Sequence, residues 1–192
     1  MRELVYKSFA KLFTYPDKEL INLISSGVII ELFKVLDIPE SNFLSIERWI
    51  KSFDKEENLL EELQVEYTRL FINTFPTLPA PLYKSYYEDN ELLGHSIGKL
   101  IDTYEKYGFE VSKDQYELPD NLALLLEFVF RLNEINSTEK EQSNFIEEFI
   151  LSWTKQLEQK IIENAEIEFY KFLIISLNSF LKEDVNQSKV KL

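Results

Sequence analysis

Apolar residues recur at steps of three and four along most of this chain, a spacing that places them on one face of a helix. Leu4, Phe9, Leu12 and Phe13 predict a first helix. It ends before Pro16, because the residue preceding proline is biased away from the helical region. Asp17 is placed to cap a short helix over 18–25, and Gly27 separates that helix from another over 28–36. Pro39, with Ser41 and Asn42, marks a junction before the pattern Ile46, Trp49, Ile50 and Phe53. A longer helix follows over 56–73, its buried face carrying Leu59, Leu60, Leu63, Tyr67, Leu70 and Phe71. Glu56, Glu57, Glu61, Glu62 and Glu66 occupy the rest of its surface, with Glu66 and Arg69 one turn apart.

The regularity breaks over 74–87. Pro76, Pro79 and Pro81 each remove a backbone donor and restrict the preceding residue, so this stretch is expected to run extended over the surface. Helix resumes over 90–107 and stops at Gly108, which can adopt the left-handed cap conformation. A polar loop over 110–117 leads to Pro119. Beyond Asp120, the stripe Leu122, Leu125, Leu126, Val129 and Leu132 is widened by Ala123, Leu124, Phe128 and Phe130. A helix apolar on more than one side belongs near the centre of a bundle. Ile146, Ile150, Trp153, Leu157 and Ile161 mark the next helix, and Tyr170, Leu173, Ile174, Leu177 and Leu181 the last. The expected fold is all-α: one compact helical bundle over 1–184, with 185–192 as a frayed tail. No internal repeat occurs.

Charge narrows the partners. With 34 acidic and 21 basic residues the formal charge is −13, which disfavours nucleic acid and anionic membrane surfaces. It suits a cationic peptide or protein, or serves solubility alone. Cysteine is absent, which excludes disulfides and thiolate chemistry in this chain. No apolar run reaches the roughly 20 residues of a membrane span, and the first residues lack the apolar core of a secretory signal. A cytoplasmic protein without stable membrane insertion is expected, as a monomer or homodimer.

Catalytic chemistry finds little support. His95, the sole histidine, follows Glu88, Asp89 and Glu91, but no activated nucleophile or glycine-rich elbow accompanies it. It reads as a surface or core-edge residue. The pairs Glu61/Glu62 and Glu147/Glu148 fit solvated helix faces. Leu92 stands where a helical carboxylate metal site would need glutamate before His95. Gly94 and Gly98 permit close helix approach, a weak signal in a chain without a membrane span. No catalytic residue, metal or cofactor is expected; a hydrolase with an unfamiliar carboxylate arrangement is the weaker alternative.

Peptide binding has more to recommend it. Pro79 and Pro81 limit the ordering cost of their segment, while Tyr83, Tyr86 and Tyr87 offer apolar area with a polar tip. Acidic helix surfaces nearby can hold arginine or lysine through charge-assisted hydrogen bonds. Covering the bundle is the plainer role for the same aromatics. Asp120 is placed to cap the following helix, and its carboxylate can also meet a guanidinium group.

These segments together resemble the TorD/DmsD/NarJ superfamily of redox-enzyme maturation chaperones. The residues that carry the likeness are Tyr6, Phe9, Ala10, Leu12, Phe13 and Pro16; Glu66, Tyr67, Arg69, Leu70 and Phe71; Pro79, Pro81, Ser85 and Tyr87; Pro119, Asp120, Asn121 and Leu122; Leu126, Glu127 and Phe128; and Trp153, Phe169 and Tyr170. Their order spans nearly the whole chain. The resemblance implies an all-helical bundle of the TorD-like type that is not itself an oxidoreductase. Such a chaperone binds a molybdopterin oxidoreductase catalytic subunit, often at its twin-arginine signal peptide, and holds it until the cofactor is inserted. An assembly adaptor that binds the mature subunit without reading the leader is the alternative. Carried onto this sequence, the contact residues are Tyr83, Ser85, Tyr86, Tyr87, Asp120 and Asn121; the chain's own charge pattern adds Glu61, Glu62 and Glu66 as an electrostatic surface. The superfamily commonly has histidine after the aspartate. Asn121 keeps hydrogen-bonding capacity there but cannot make histidine's charge switch.

Overall fold

Helix ends fall mostly where the sequence supplies a stop. The computed structural model describes residues 2–35, 40–73, 77–111, 117–135 and 137–190. Expectations resting on Pro39, Pro76 and 112–116 lie outside these. In chain order the helices are α1 (Arg2–Leu12), α2 (Lys18–Ser25), α3 (Val28–Val35), α4 (Glu40–Lys51), α5 (Glu56–Tyr67), α6 (Lys84–Glu88), α7 (Ile97–Lys106), α8 (Leu122–Glu134), α9 (Glu139–Phe145), α10 (Ser152–Asn164) and α11 (Glu168–Val190). A π-helical turn, Thr68–Ile72, continues α5, and a second, Ile146–Leu151, joins α9 to α10. Among the described residues there is no strand, and the extended pairing is an isolated antiparallel bridge between Tyr83 and Asn121. The fold is all-α.

The residues group into two compact units, each drawn from separate stretches of chain. The first comprises 1–13, 82–156 and 181–192. Here α1 packs along α8, burying Val5, Tyr6, Phe9 and Leu12 together with Leu122, Leu125, Leu126, Val129 and Leu132. Leu4, expected on that face, is 58% exposed; Val5 and Tyr6 take the inward positions. Phe128 extends the core, its ring 4.7 Å from Tyr104 and 4.6 Å from Phe145. Each such side chain contributes about 1.5–3 kcal/mol on burial. A capping box starts α9: Thr138 accepts the Glu141 N–H while the Glu141 carboxylate accepts the Thr138 N–H.

The end of α11 differs from the sequence reading. The helix continues to Val190, with Val185 and Ser188 buried. Val185 and Ser188 pack inward there, and just before them Asp184 pairs with Arg2 and accepts the Tyr6 hydroxyl at 2.5 Å. Arg2 also donates to Gln142 at 2.5 Å.

The second unit comprises 14–81 and 157–180. Asp17 caps α2 as expected, accepting the Leu20 N–H, and Gly27 sits at φ +79°. Ser41 and Asn42, read as part of a junction, fall within the first turn of α4. The aromatic core of this unit joins Tyr67, Phe71 and Tyr170, with Phe71 edge-on to Tyr170 at 5.3 Å. Glu66 was expected on the acidic surface but is 3% exposed. Its carboxylate accepts Arg69 Nε at 2.8 Å, Arg69 Nη2 at 2.9 Å and the Glu166 N–H at 2.6 Å. Arg69 reaches the Asn164 carbonyl at 2.7 Å. The pair therefore ties the end of α5 to the α10–α11 turn, a contact distant in sequence that helical spacing cannot reveal.

One helix expected over 90–107 is also corrected. Helix occupies 84–88 and 97–106, and the chain between them turns. Asn90 and Leu93 lie at φ +58° and +57°, in the left-handed region. The Asp89 carboxylate accepts the Ser96 N–H at 3.1 Å. A Cβ at Gly94 would fall on that same carboxyl group, so the turn needs glycine there. Gly98 has open space around it, so the Gly94/Gly98 pair does not mediate a close helix approach.

Candidate functional site

The stretch that breaks the helical pattern is joined to the start of α8 by backbone. The Leu122 N–H donates to the Leu82 carbonyl at 2.9 Å, and the Lys84 N–H to the Asp120 carbonyl at 3.2 Å. Between these bonds Tyr83 and Asn121 form the antiparallel bridge. Asp120, expected to cap α8, does something else. One carboxylate oxygen accepts the Ser85 N–H at 2.7 Å, which secures the start of α6. Its other oxygen, Oδ1, is buried with no hydrogen-bond partner among the described residues. The cap is Asn121, extended at φ −63° and ψ 136°, whose Oδ1 accepts the Ala123 N–H at 2.8 Å. Two neighbouring residues both able to cap are indistinguishable in sequence; the backbone turn decides between them.

Glu117, which sequence reasoning missed, gathers the outer side. Its carboxylate accepts Asn121 Nδ2 at 2.9 Å and the Tyr83 hydroxyl at 3.1 Å. Burial, then the Glu117 charge, pushes the Tyr83 phenol up to about 12. Its place four residues before Asn121 is the signal that could have found it. The Tyr104 hydroxyl donates to the Pro119 carbonyl at 2.9 Å, fixing the turn from within the core.

Exposure sorts the six predicted contact residues. Ser85 and Asp120 are fully buried and Asn121 is 3% exposed, so these three build the turn. Tyr83, Tyr86 and Tyr87 are half-buried and present edges to the surface. Tyr87 stacks on Trp153 at 5.2 Å, with Tyr86 edge-on to it at 5.2 Å. The Tyr87 hydroxyl is buried without a partner among the described residues, and burial drives its pKa well above the ordinary value. Lys84 is buried too, paired with Glu88 and lying 5.8 Å over the Phe149 ring.

Of the predicted acidic surface, Glu61 and Glu62 are exposed on α5, whereas Glu66 serves the fold as described above. The His95 side chain is 90% exposed, 3.3 Å from Asp89. A surface histidine is what remains. Among the described residues no group of three His, Cys, Asp or Glu side chains can hold a metal ion, and no helix is long and apolar enough to cross a membrane.

The first unit also carries an open cavity of about 450 Å³ between the segment 107–111, which follows α7, and α8. A smaller one of about 170 Å³ adjoins it, the two sharing Tyr107 and Leu132.

Comparison with known proteins sets this geometry in a lineage. The sequence profile of the nitrate reductase delta subunit family matches residues 40–159, more than half of the chain. The chain belongs to that family. The matched range takes in α6, the Asp89 turn and the start of α8. Within the wider TorD/DmsD/NarJ superfamily, this family member is 29% identical to chaperone protein TorD of Vibrio vulnificus over 134 residues. The match covers 64% of this chain and 62% of that protein. It is 25% identical to chaperone protein TorD of Actinobacillus pleuropneumoniae over 125 residues, covering 65% and 62%. The chain thus spans less than two thirds of the length of these relatives. A crystal structure of a proposed redox enzyme maturation protein from Archaeoglobus fulgidus matches with a TM-score of 0.60 at 29% identity. That match covers 95% of this chain and 94% of the other.

Proposed function

We propose that this family member is a cytoplasmic chaperone for the catalytic subunit of a molybdopterin oxidoreductase. It binds the client before export, in large part through a twin-arginine signal peptide, supports cofactor insertion, and catalyses no reaction itself. The observation that carries the reading is the family match over 40–159, reinforced by similarity to chaperone protein TorD. Chemistry agrees with it: a chain of formal charge −13 favours a cationic client segment. Tyr83, Tyr86 and Tyr87 offer partly exposed aromatic edges for the apolar continuation of that segment.

The test is affinity capture of the tagged chain from its native cells grown anaerobically, followed by binding of the recovered client with and without its leader. The proposal expects a molybdoenzyme subunit and a marked loss of affinity without the leader. Undiminished binding of the leaderless subunit would instead support the assembly adaptor.

A further inference from the structure

The five residues of α6 are too few to hold a helix by their own hydrogen bonds. Contacts with the rest of the unit decide whether the segment stays in place. Its start is secured by Asp120, whose carbonyl and carboxylate accept the Lys84 and Ser85 N–H groups. Beyond Ser85 the attachments are weaker in kind. Tyr87 stacks on the fully buried Trp153, and its own hydroxyl is buried without a partner among the described residues. Glu88 pairs with the buried Lys84 and accepts the Ser152 hydroxyl at 2.8 Å, a hydroxyl that also reaches the Glu148 carbonyl at 2.9 Å. The turn that follows holds two residues in the left-handed region, Asn90 at φ +58° and Leu93 at φ +57°. Asparagine tolerates that conformation; leucine is strained by it. Leu93 is 58% exposed, so burial of its side chain does little to offset the strain. Its N–H donates to the Ser85 hydroxyl at 3.2 Å, which pins the turn in this form.

We propose that residues 86–96 form a strap that melts locally while the Tyr83–Asn121 turn and α8 stay folded, uncovering the Trp153 face on which Tyr87 stacks. Two costs of the closed form fall on this one segment. The Tyr87 hydroxyl gives up hydration that melting restores. Leu93 relaxes out of the left-handed region once the turn is free. Against them stand the ring stacking and the Lys84–Glu88–Ser152 latch. Melting takes Glu88 away from a buried ammonium, which is costly, so the latch sets how often the strap opens. The Asp89–Ser96 bond lies inside the strap and ties the turn to itself. Tyr86 and Tyr87 leave the surface together when the strap melts, whereas Tyr83 stays on the bridge. The inference stands on this geometry and not on the identity of a client.

The experiment is NMR-detected hydrogen exchange of the whole chain, with no client present. The Asp89 N–H, bonded to the Ser85 carbonyl, and the Ser96 N–H report on the strap; the α8 amides are the reference. The strap amides are expected to exchange at least about tenfold more readily than α8. Their rate should not respond to low urea, because a local opening exposes little surface. Tyr87→Phe is expected to slow them about tenfold, the scale of one orphaned buried polar group. Leu93→Asn should slow them roughly threefold by easing the left-handed position. Glu88→Gln keeps an acceptor for Ser152 but loses the charge, and should speed them about tenfold; partial exposure of Glu88 makes this less than for a fully buried pair. Glu61→Gln, the same charge change on α5, should alter nothing. Exchange of the strap and α8 amides at one rate, with one urea dependence, would mean that the segment opens only with the whole unit and would overturn the proposal. Exchange of the strap amides at the rate of an unprotected chain would overturn it too, since no closed form would exist. Failure of both Tyr87→Phe and Leu93→Asn to slow exchange, or equal slowing of α8, would show that the closed strap bears no cost of its own and would likewise sink it.

Discussion

Replacing Glu66 separates a surface acid from a buried clamp. In Glu66→Ala, the Arg69 guanidinium loses two carboxylate contacts and the Glu166 N–H loses its 2.6 Å acceptor. Removing one partner of a fully buried ion pair costs about 3–5 kcal/mol. Here the loss is smaller. The Arg69 side chain is 27% exposed, keeps the Asn164 carbonyl at 2.7 Å, and has the Glu166 carboxylate 3.6 Å away. A cost of about 2–3 kcal/mol remains, from charge-assisted bonds of about 1.5–3 kcal/mol each, partly replaced by water. For a chain of this size that lowers Tm by about 4–12 °C. Glu66→Gln keeps an acceptor for the Glu166 N–H but not the charge, and is expected to lose roughly half as much. Glu61→Ala, on the exposed part of α5, should stay within about 0.5 kcal/mol of wild type. Thermal unfolding followed by far-UV circular dichroism reads all three. If Glu66→Ala melts within about 1 °C of wild type, the clamp contributes nothing and the reasoning fails.

Four further outcomes are expected. Asp120→Asn retains an acceptor for the Ser85 N–H and should lose less than about 1 kcal/mol, whereas Asp120→Ala orphans that N–H and should lose about 1–3 kcal/mol in chemical denaturation; equal losses would sink the acceptor role. Gly94→Ala places a Cβ on the Asp89 carboxyl group and should cost at least 1 kcal/mol by overpacking, in the range of about 1–3 kcal/mol. Adding Asp89→Gly, which removes both the carboxyl group and the Asp89 Cβ that the new Cβ would meet, should recover part of that loss, and strictly additive effects would refute the contact. The Tyr107 hydroxyl, followed by Thr138, holds the Glu141 carboxyl down at about 2. A depressed folded-state pKa stabilises above the ordinary value of 4.5, and this contribution is lost as pH falls toward about 2; carboxyl NMR titration should show the low midpoint, and Tyr107→Phe should raise it. Tyr87→Phe removes a buried hydroxyl with no partner among the described residues and should be neutral or slightly stabilising, so weaker client binding by a variant that melts like wild type would assign that hydroxyl to recognition.

Sequence spacing revealed those elements whose determinants are local. Asp17 and Gly27 bound α2, Gly108 sits at φ +64° as its position after α7 required, and α8 is buried from Leu122 to Leu126 as its wide apolar face predicted. Errors arose where contacts distant in sequence decide. Glu66 reads as one of five acids on a polar face until the turn at 166 supplies an N–H. The tail over 185–192 reads as frayed, whereas α11 runs on to Val190 with Val185 and Ser188 packed beside the Arg2, Tyr6 and Asp184 contacts. Apolar period alone also cannot see that Asp89 and Gly94 interrupt a helix, because Leu92 and Leu93 continue the greasy pattern while standing 52% and 58% exposed. At the turn, the family resemblance grouped Tyr83, Ser85, Asp120 and Asn121, but neither it nor their spacing could divide them into builders and presenters.

That division constrains how the family's recognition residues can work here. The Asp120 carboxylate is fully buried and bonded to the Ser85 N–H, so as the turn stands it presents no oxygen at the surface to a client's arginine. Asn121 is equally committed, with Oδ1 on the Ala123 N–H and Nδ2 on Glu117. Histidine at this position would have to keep an unprotonated nitrogen to accept that N–H, so capping and protonation would compete; asparagine caps at any pH. The turn in this chain is thereby a fixed mount. Of the six candidate contact residues, Tyr83, Tyr86 and Tyr87 are the ones whose edges it leaves at the surface.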